Sequence, residues 1–172
     1  TMRKHGKVLP IMFSLTVCDF AGRTLSGRTV EAFLASLSPY PIFSVGINCA
    51  FGAPQMESFI QKIGAIAPWY ISAHPNAGLP NEMGEYDETP ESMAPKIKEF
   101  IDEGLVNIIG GCCGTSPEFI ARYNEMAKGK RPHQLVEKPK TMWLSGLDIL
   151  DVDDHVKLPM DASRFVNVGE RC

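Results

Sequence analysis

The chain has 172 residues, with 17 Lys or Arg against 20 Asp or Glu, so its formal net charge is −3. Its apolar content of 44% is enough for a buried core and excludes a disordered or fibrous chain. The mild negative charge predicts neither nucleic-acid binding nor attraction to an anionic membrane. No apolar run approaches the roughly 20 residues that cross a bilayer, and we expect no signal peptide, because residues 3–7 lead directly into a strand-like run. We therefore expect a soluble, cytoplasmic protein of about one domain.

The first two-thirds of the chain alternates strand patterns with helix patterns. Apolar runs predict buried strands over residues 8–17, 42–48, 69–73 and 106–109. After each run, apolar residues recur at helical spacing, and these four stripes begin at Val30, Met56, Met93 and Phe119. Repeated strand–helix units of this kind predict an α/β fold with a parallel sheet and right-handed crossovers.

This pattern is compatible with two architectures, a small doubly wound sheet and half of a (β/α)8 barrel. Cys49 follows the second predicted strand, and Cys112 and Cys113 follow the fourth, so all three lie at the carboxyl edge of the sheet. In a barrel, strands two apart direct side chains to one point near the axis, whereas in an open sheet their ends would be about 10 Å apart. Convergence of the three cysteines on one metal ion therefore favours the barrel.

The three cysteines admit more than one chemistry. Three thiolates with an open fourth position are typical of a catalytic zinc site, and sulfur ligands select zinc over magnesium or calcium. Alternatively, Cys49 is a small apolar core residue, or the adjacent Cys112 and Cys113 form a vicinal disulfide or a redox switch. We expect Cys18 to be a packing residue. His74 is the nearby candidate for a fourth ligand or a proton carrier, although a loop histidine hydrogen-bonded to the backbone is the commoner case.

Several motifs resemble those of homocysteine S-methyltransferases. Residues 110–117 (GGCCGTSP) resemble the GGCCGT-x-P signature of the family, and residues 46–49 (GINC) resemble its G-x-N-C segment. Further similarity, to the cobalamin-dependent methionine synthases within the family, is found in residues 21–27, 73–80 and 84–86. Residues 165–171 are similar to the opening of the methyltetrahydrofolate-binding barrel that follows in those enzymes.

The resemblance implies a division of the chain into three parts. Residues 1–128 would be the C-terminal half of a homocysteine-binding (β/α)8 barrel, strands five to eight. Residues 129–164 would be a linker or strap, and residues 165–172 would begin the methyltetrahydrofolate-binding domain. Half a barrel has two unpaired strand edges and, we expect, an apolar inner face, so the chain alone is predicted to associate with itself. Because the other half of the barrel would hold part of the substrate, the chain alone is also predicted to be inactive.

The resemblance also implies the site and the reaction. Zinc would be held by Cys49, Cys112 and Cys113, and Asn48 and Gly111 beside them are candidate contacts for the substrate. The activity would be methyl transfer to the homocysteine thiolate, giving methionine, from methylcobalamin carried on another module and recharged by methyltetrahydrofolate. The alternatives are a betaine- or S-methylmethionine-dependent homocysteine methyltransferase and, outside enzymes, a structural zinc domain closed by a fourth protein ligand.

Overall fold

The computed structural model describes residues 9–138 and 142–151, together with Gly6. Within these residues the chain forms six strands and four helices. In chain order they are β1 (Met12–Leu15), α1 (Val30–Leu37), β2 (Ser44–Gly52), α2 (Ala53–Ile66), β3 (Tyr70–Asn76), α3 (Pro90–Asp102), β4 (Ile108–Ile109), α4 (Pro117–Ala127), β5 (Trp143–Ser145) and β6 (Ile149–Asp151). The predicted domain start at residues 165–172 lies outside the described residues.

The first four strands form one parallel sheet in the order β1-β2-β3-β4. The prediction of an α/β fold with a parallel sheet is therefore confirmed. Because the spatial order follows the chain order, the sheet has no reversal point of the kind found in doubly wound folds. β1 is shorter than the predicted 8–17, since it is an edge strand and Pro10 has no amide proton to donate. Among the described residues both edges of this sheet are open, and self-association through them stays a prediction.

The two faces of the sheet differ sharply in composition. The face packed against the helices carries Phe13, Leu15, Val45, Ile47, Ile71, Ala73 and Ile109. The opposite face, here called the polar face, carries Met12, Ser14, Ser44, Gly46, Asn48, Tyr70, Ser72, His74 and Ile108. The expected apolar inner face is therefore wrong, because only alternate residues of each strand are apolar, while the intervening positions are mostly small or polar.

Local signals place the helices after their strands. Thr89 caps α3 in a reciprocal capping box with Ser92, and Pro90 occupies the first turn, where no amide donor is needed. Ser116 occupies the N-cap position of α4, and Pro117 begins the helix. Consecutive helices pack against one another from α1 to α4. Among the described residues, no helix has both the length and the apolar character needed to cross a membrane.

Beyond α4 the chain returns along the structure toward α1. The side-chain amide of Asn107, just before β4, donates to the carbonyl of His133 at 2.9 Å. Lys138 Nζ donates to the carbonyl of Ser38 at 2.9 Å, and the antiparallel β5–β6 hairpin packs on α1. This hairpin was not predicted, because strands of three residues are too short to establish a periodicity. Assignment of residues 129–164 as an interdomain linker stays a prediction.

Gly46 on β2 is a position where the sheet tolerates no side chain. A Cβ there would collide with both the backbone carbonyl and the hydroxyl of Ser72 on β3. We expect Gly46→Ala to lower the free energy of unfolding by about 1–3 kcal/mol, because a backbone group must move. Urea denaturation followed by circular dichroism measures this.

The matched control is Gly146→Ala, since the nearest atom to a Cβ at Gly146 is 3.7 Å away. It should change the free energy of unfolding by less than about 0.5 kcal/mol. Equal effects of the two substitutions would contradict the close approach of β2 and β3.

Candidate metal centre

The carboxyl ends of β2 and β4 bring Cys49, Cys112 and Cys113 together. The Sγ atom of Cys113 lies 3.6 Å from that of Cys49 and 3.9 Å from that of Cys112. The Sγ atoms of Cys49 and Cys112 are in direct contact as a disulfide pair, with their Cα atoms 5.8 Å apart. All three sulfur atoms lie within 4.8 Å of one another. Residues far apart in the chain therefore form one compact sulfur cluster.

The cluster fits a tetrahedral zinc ion once Cys49 and Cys112 are both reduced. A Zn–S bond of about 2.3 Å and tetrahedral angles require sulfur atoms about 3.8 Å apart. The two separations that involve Cys113 are already close to that value. The Cys112–Cys113 separation also excludes a vicinal disulfide in this structure. No His, Asp or Glu side chain in the described part of the chain completes the group with a fourth ligand.

The backbone of Cys49 is unusual. Its φ of +55° makes Cys49 the only non-glycine residue with positive φ among the residues described. The pairing of β2 with β3 also shifts register between Asn48 and Gly52. A side chain in this left-handed region is strained by about 1–2 kcal/mol, and irregularities of this type redirect a side chain out of the strand's alternation. The left-handed backbone conformation of Cys49 therefore directs its sulfur toward Cys112 and Cys113.

Glycines let the loop that carries Cys112 and Cys113 approach its neighbours. A Cβ at Gly110 would collide with the ring of His74, and one at Gly111 would collide with the side chain of Thr115. Thr115 in turn donates its hydroxyl to the carbonyl of Cys112 at 2.7 Å. Gly111, a predicted substrate contact, therefore has a packing role in the free protein.

Hydrogen bonds join the end of β3 to the cysteine loop. The amide of Cys112 donates to the carbonyl of Pro75 at 2.9 Å, and the amide of Ala77 donates to the carbonyl of Cys113 at 2.9 Å. Asn76 is buried, and its side-chain oxygen accepts from the amide of Cys113 at 3.1 Å. This role of Asn76 was not predicted from the sequence, although a polar residue at the carboxyl end of a strand was the available signal.

Asn48 and His74 are register partners on the polar face, beside the cluster. Ser14 donates its hydroxyl to the side-chain oxygen of Asn48 at 2.7 Å. Burial lowers the pKa of the His74 imidazole, so the neutral form predominates at neutral pH. Its Nδ1 atom is buried without a hydrogen-bond partner among the described residues. His74 does not join the sulfur cluster as a further metal ligand.

Tyr86 contacts the cluster from the loop between β3 and α3. Its ring lies against Gly114, whose φ is +77° and where any Cβ would collide with the tyrosine. The neighbouring side chain of Cys113 raises the pKa of the Tyr86 phenol, and partial burial raises it further. Residues 84–86 were noted for their resemblance alone, and nothing in the sequence indicated this contact.

Cys18 lies apart from the cluster and is exposed, so the expectation that it packs in the core is wrong. The reason is that β1 ends at Leu15, before this residue, and the chain then enters a loop. In that loop the amide of Cys18 donates to the carbonyl of Arg23 at 2.7 Å.

Comparison with known proteins identifies one family. The sequence model of the homocysteine S-methyltransferase family matches residues 1–127. The match spans all four strand–helix units and therefore includes the three clustered cysteines.

Asn76 offers a test of how the cysteine loop is held. Asn76→Ala leaves the amide of Cys113 without its side-chain acceptor, and the cost of such an unsatisfied buried donor is about 1–3 kcal/mol. We expect urea denaturation to measure a loss of that size in the free energy of unfolding. The control Asn124→Ala, at an exposed position of α4, should change it by less than about 0.5 kcal/mol. A loss no larger than that of the control would contradict the proposed support.

Proposed function

The chain belongs to the homocysteine S-methyltransferase family, and on that premise we propose that it binds Zn²⁺ through Cys49, Cys112 and Cys113 and transfers a methyl group to the sulfur of homocysteine. The observation that carries this proposal is the convergence of three sulfur atoms at the carboxyl edge of a parallel sheet, where α/β proteins build their active sites. A disulfide between Cys49 and Cys112 would explain why two of these cysteines lie together, whereas a metal site explains the proximity of all three.

The donor set also suits the chemistry. A free thiol with a pKa near 8.5 is mostly protonated at neutral pH, and the thiolate is the nucleophilic form. Zinc held by the cysteines would act as a Lewis acid that keeps the substrate sulfur ionised at that pH. Three cysteine thiolates more than neutralise the two positive charges of Zn²⁺, so the substrate sulfur would remain electron-rich and able to attack a methyl group.

Two residues beside the cluster are proposed to contact the substrate. Ser14 donates to the side-chain oxygen of Asn48, which leaves the Asn48 amide nitrogen to donate to an acceptor such as the homocysteine carboxylate. Gly111 would offer its backbone, since its missing side chain lets Thr115 pack against it. The polar face supplies the hydrophilic surroundings that an amino-acid substrate requires.

We infer that the four strands are part of a (β/α)8 barrel. Three features support a barrel: the unreversed strand order, the consecutive packing of α1 to α4, and the edges of β1 and β4, which are open within the described part of the chain. In a barrel, further strands would pair with those edges and would provide additional substrate contacts. The chain by itself is then expected to be inactive.

For the methyl donor we propose methylcobalamin, bound by another module and recharged by 5-methyltetrahydrofolate. The support is the resemblance of residues 73–80, 84–86 and 165–171 to cobalamin-dependent methionine synthases. A betaine- or S-methylmethionine-dependent enzyme is the second candidate, but the resemblance of residues 165–171 to a folate barrel disfavours it. A structural zinc domain would need a fourth protein ligand, and His74 is outside the cluster.

Zinc content tests the proposed site directly. Under reducing conditions we expect about one zinc per chain, and Cys49→Ala, Cys112→Ala and Cys113→Ala should each remove most of it, because a chelate loses affinity with each lost ligand. Elemental analysis after dialysis provides the measurement. Cys113→Ala is the most informative variant, since Cys113 is not part of the Cys49–Cys112 pair.

The control is Cys18→Ala, which should retain its zinc, because Cys18 is exposed and outside the cluster. Full zinc occupancy in Cys112→Ala or Cys113→Ala would rule out the proposed ligand set.

Homocysteine binding should release a proton from its thiol. Adding homocysteine at pH 7 to the zinc-loaded protein that includes the rest of the barrel should release about one proton per substrate bound, since the sulfur ligates as a thiolate. Calorimetric titrations in buffers of different ionisation enthalpy count the protons. Methionine, which has no thiol, is the control ligand and should release none. A homocysteine binding enthalpy independent of the buffer would contradict ligation as a thiolate.

A further inference from the structure

Two exposed leucines lie on a surface formed by the loop after β1 and the turn of the β5–β6 hairpin. Leu25 is 92% exposed and Leu147 is 61% exposed. The side chain of Leu147 lies over Gly27, since a Cβ at Gly27 would be 3.7 Å from Leu147 Cδ2. The amide of Thr29 donates to the carbonyl of Leu147 at 2.8 Å. The patch of Leu25, Gly27, Arg28 and Leu147 is here called the loop–hairpin surface.

Hydrogen bonds within the loop hold this surface in one shape. The amide of Gly27 donates to the carbonyl of Thr24 at 2.8 Å, and the amide of Thr24 donates to the carbonyl of Arg28 at 2.9 Å. Arg23 donates through Nη1 to the carbonyl of Gly27 at 2.8 Å, and its Nη2 atom lies 3.6 Å from Asp148 on the hairpin. An occupant therefore has little of the loop to order, and this is the condition in which exposed apolar side chains contribute most to binding.

Arg28 adds a positive charge to the surface. Its side chain is exposed and takes part in none of the ion pairs found in the described part of the chain. The other cation of the loop, Arg23, is already paired with Asp148. An occupant that offers apolar side chains together with carboxylates would complement both properties of the surface.

The chain itself contains such an occupant. β6 ends at Asp151, and residues 152–172 follow it, outside the described part of the structure. An extended chain spans about 3.3–3.6 Å per residue, so residues 152–164 are long enough to return from the end of β6 to the turn of the hairpin. This segment combines apolar with acidic residues, namely Val152, Val156, Leu158 and Met160 with Asp153, Asp154 and Asp161.

We propose that residues 152–164 fold back over the loop–hairpin surface, where their apolar side chains cover Leu25 and Leu147 and their carboxylates pair with Arg28. The inference depends neither on zinc nor on the methyl-transfer reaction. The covered loop follows β1 at the carboxyl edge of the sheet, and its Phe20 stacks on Phe51 with the ring centroids 4.9 Å apart. The docked segment therefore directs the chain that follows toward the edge of the sheet that carries the sulfur cluster.

Photo-cross-linking of the full chain identifies what covers Leu25. The variant Leu25→benzoylphenylalanine is irradiated, and mass spectrometry identifies the peptide joined to this position. A mixture of isotope-labelled and unlabelled protein distinguishes links within one chain from links between two copies. We expect links to peptides from residues 152–164 of the same chain.

The matched control is Met83→benzoylphenylalanine, because Met83 is 84% exposed on the loop after β3. It should give no link to residues 152–164. A link from position 25 to a second copy or to another part of the chain would overturn the proposal, and so would the absence of any link.

The stability of Leu25→Ala provides a second readout. A side chain that stays in solvent contributes little to stability, so this substitution matters only if another segment covers Leu25. We expect the folded-to-unfolded ratio, from urea denaturation of the full chain, to fall about tenfold, as for burial of a large part of one leucine side chain. Met83→Ala should change this ratio by less than about twofold. Equally small effects of the two substitutions would contradict the covering of Leu25.

Charge exchange tests the contact with Arg28. Arg28→Glu in the cross-linking variant should lower the yield of the link to residues 152–164 about twofold, as for loss of an exposed ion pair. Adding Asp153→Lys, Asp154→Lys and Asp161→Lys to the same protein should restore the yield. Lys62→Glu, at an exposed lysine of α2, is the control and should leave the yield unchanged. A yield that does not respond to Arg28→Glu would overturn the proposed pairing.

Discussion

The candidate site depends on one backbone conformation, the left-handed turn at Cys49. A strand that continued its alternation through this residue would send the side chain along the direction set by the pleat rather than toward β4. The turn, together with the register shift before Gly52, brings one sulfur into reach of two others that begin from a strand two positions away in the sheet. The segment that carries Cys112 and Cys113 is held in place by its glycines, by the hydrogen bond that the Cys113 amide donates to Asn76, and by the one that the Ala77 amide donates to Cys113.

One face of the sheet forms the apolar core, and the other borders the candidate site. Val45, Ile47 and Ile71 are fully buried against the helices and supply the apolar core. The alternate residues of the same strands, including Asn48 and His74, line the face from which the cluster is approached. Because successive side chains of a strand point to opposite faces, one short strand can supply apolar residues to the core and polar residues to the site. A polar face is also what a zwitterionic amino acid needs, since its charged groups must keep hydrogen-bond partners when they leave water.

The sequence predicted the parts of the molecule that are encoded locally. Each strand–helix unit has its own apolar run and stripe, and Thr89 with Pro90 marks the start of α3. The location of Cys49 and Cys112 at one edge followed from strand ends alone. The conformation of Cys49 could not be predicted, since a non-glycine residue gives no sign of positive φ. The contact of Asn76 with Cys113 spans 37 residues and depends on packing between loops, and the exposure of Cys18 depends on where β1 ends.

The return of the chain after α4 has a consequence for the order of folding. Ser145 donates its hydroxyl to the carbonyl of Ala32 across 113 residues of sequence, and Lys138 reaches Ser38 across 100. Contacts of such separation carry a large loop-closure entropy, whereas each strand and its following helix meet within a few tens of residues. The strand–helix units are therefore expected to assemble first, with α1 left uncovered until the hairpin arrives. During synthesis on the ribosome, α1 would wait for more than a hundred further residues before its outer surface is covered.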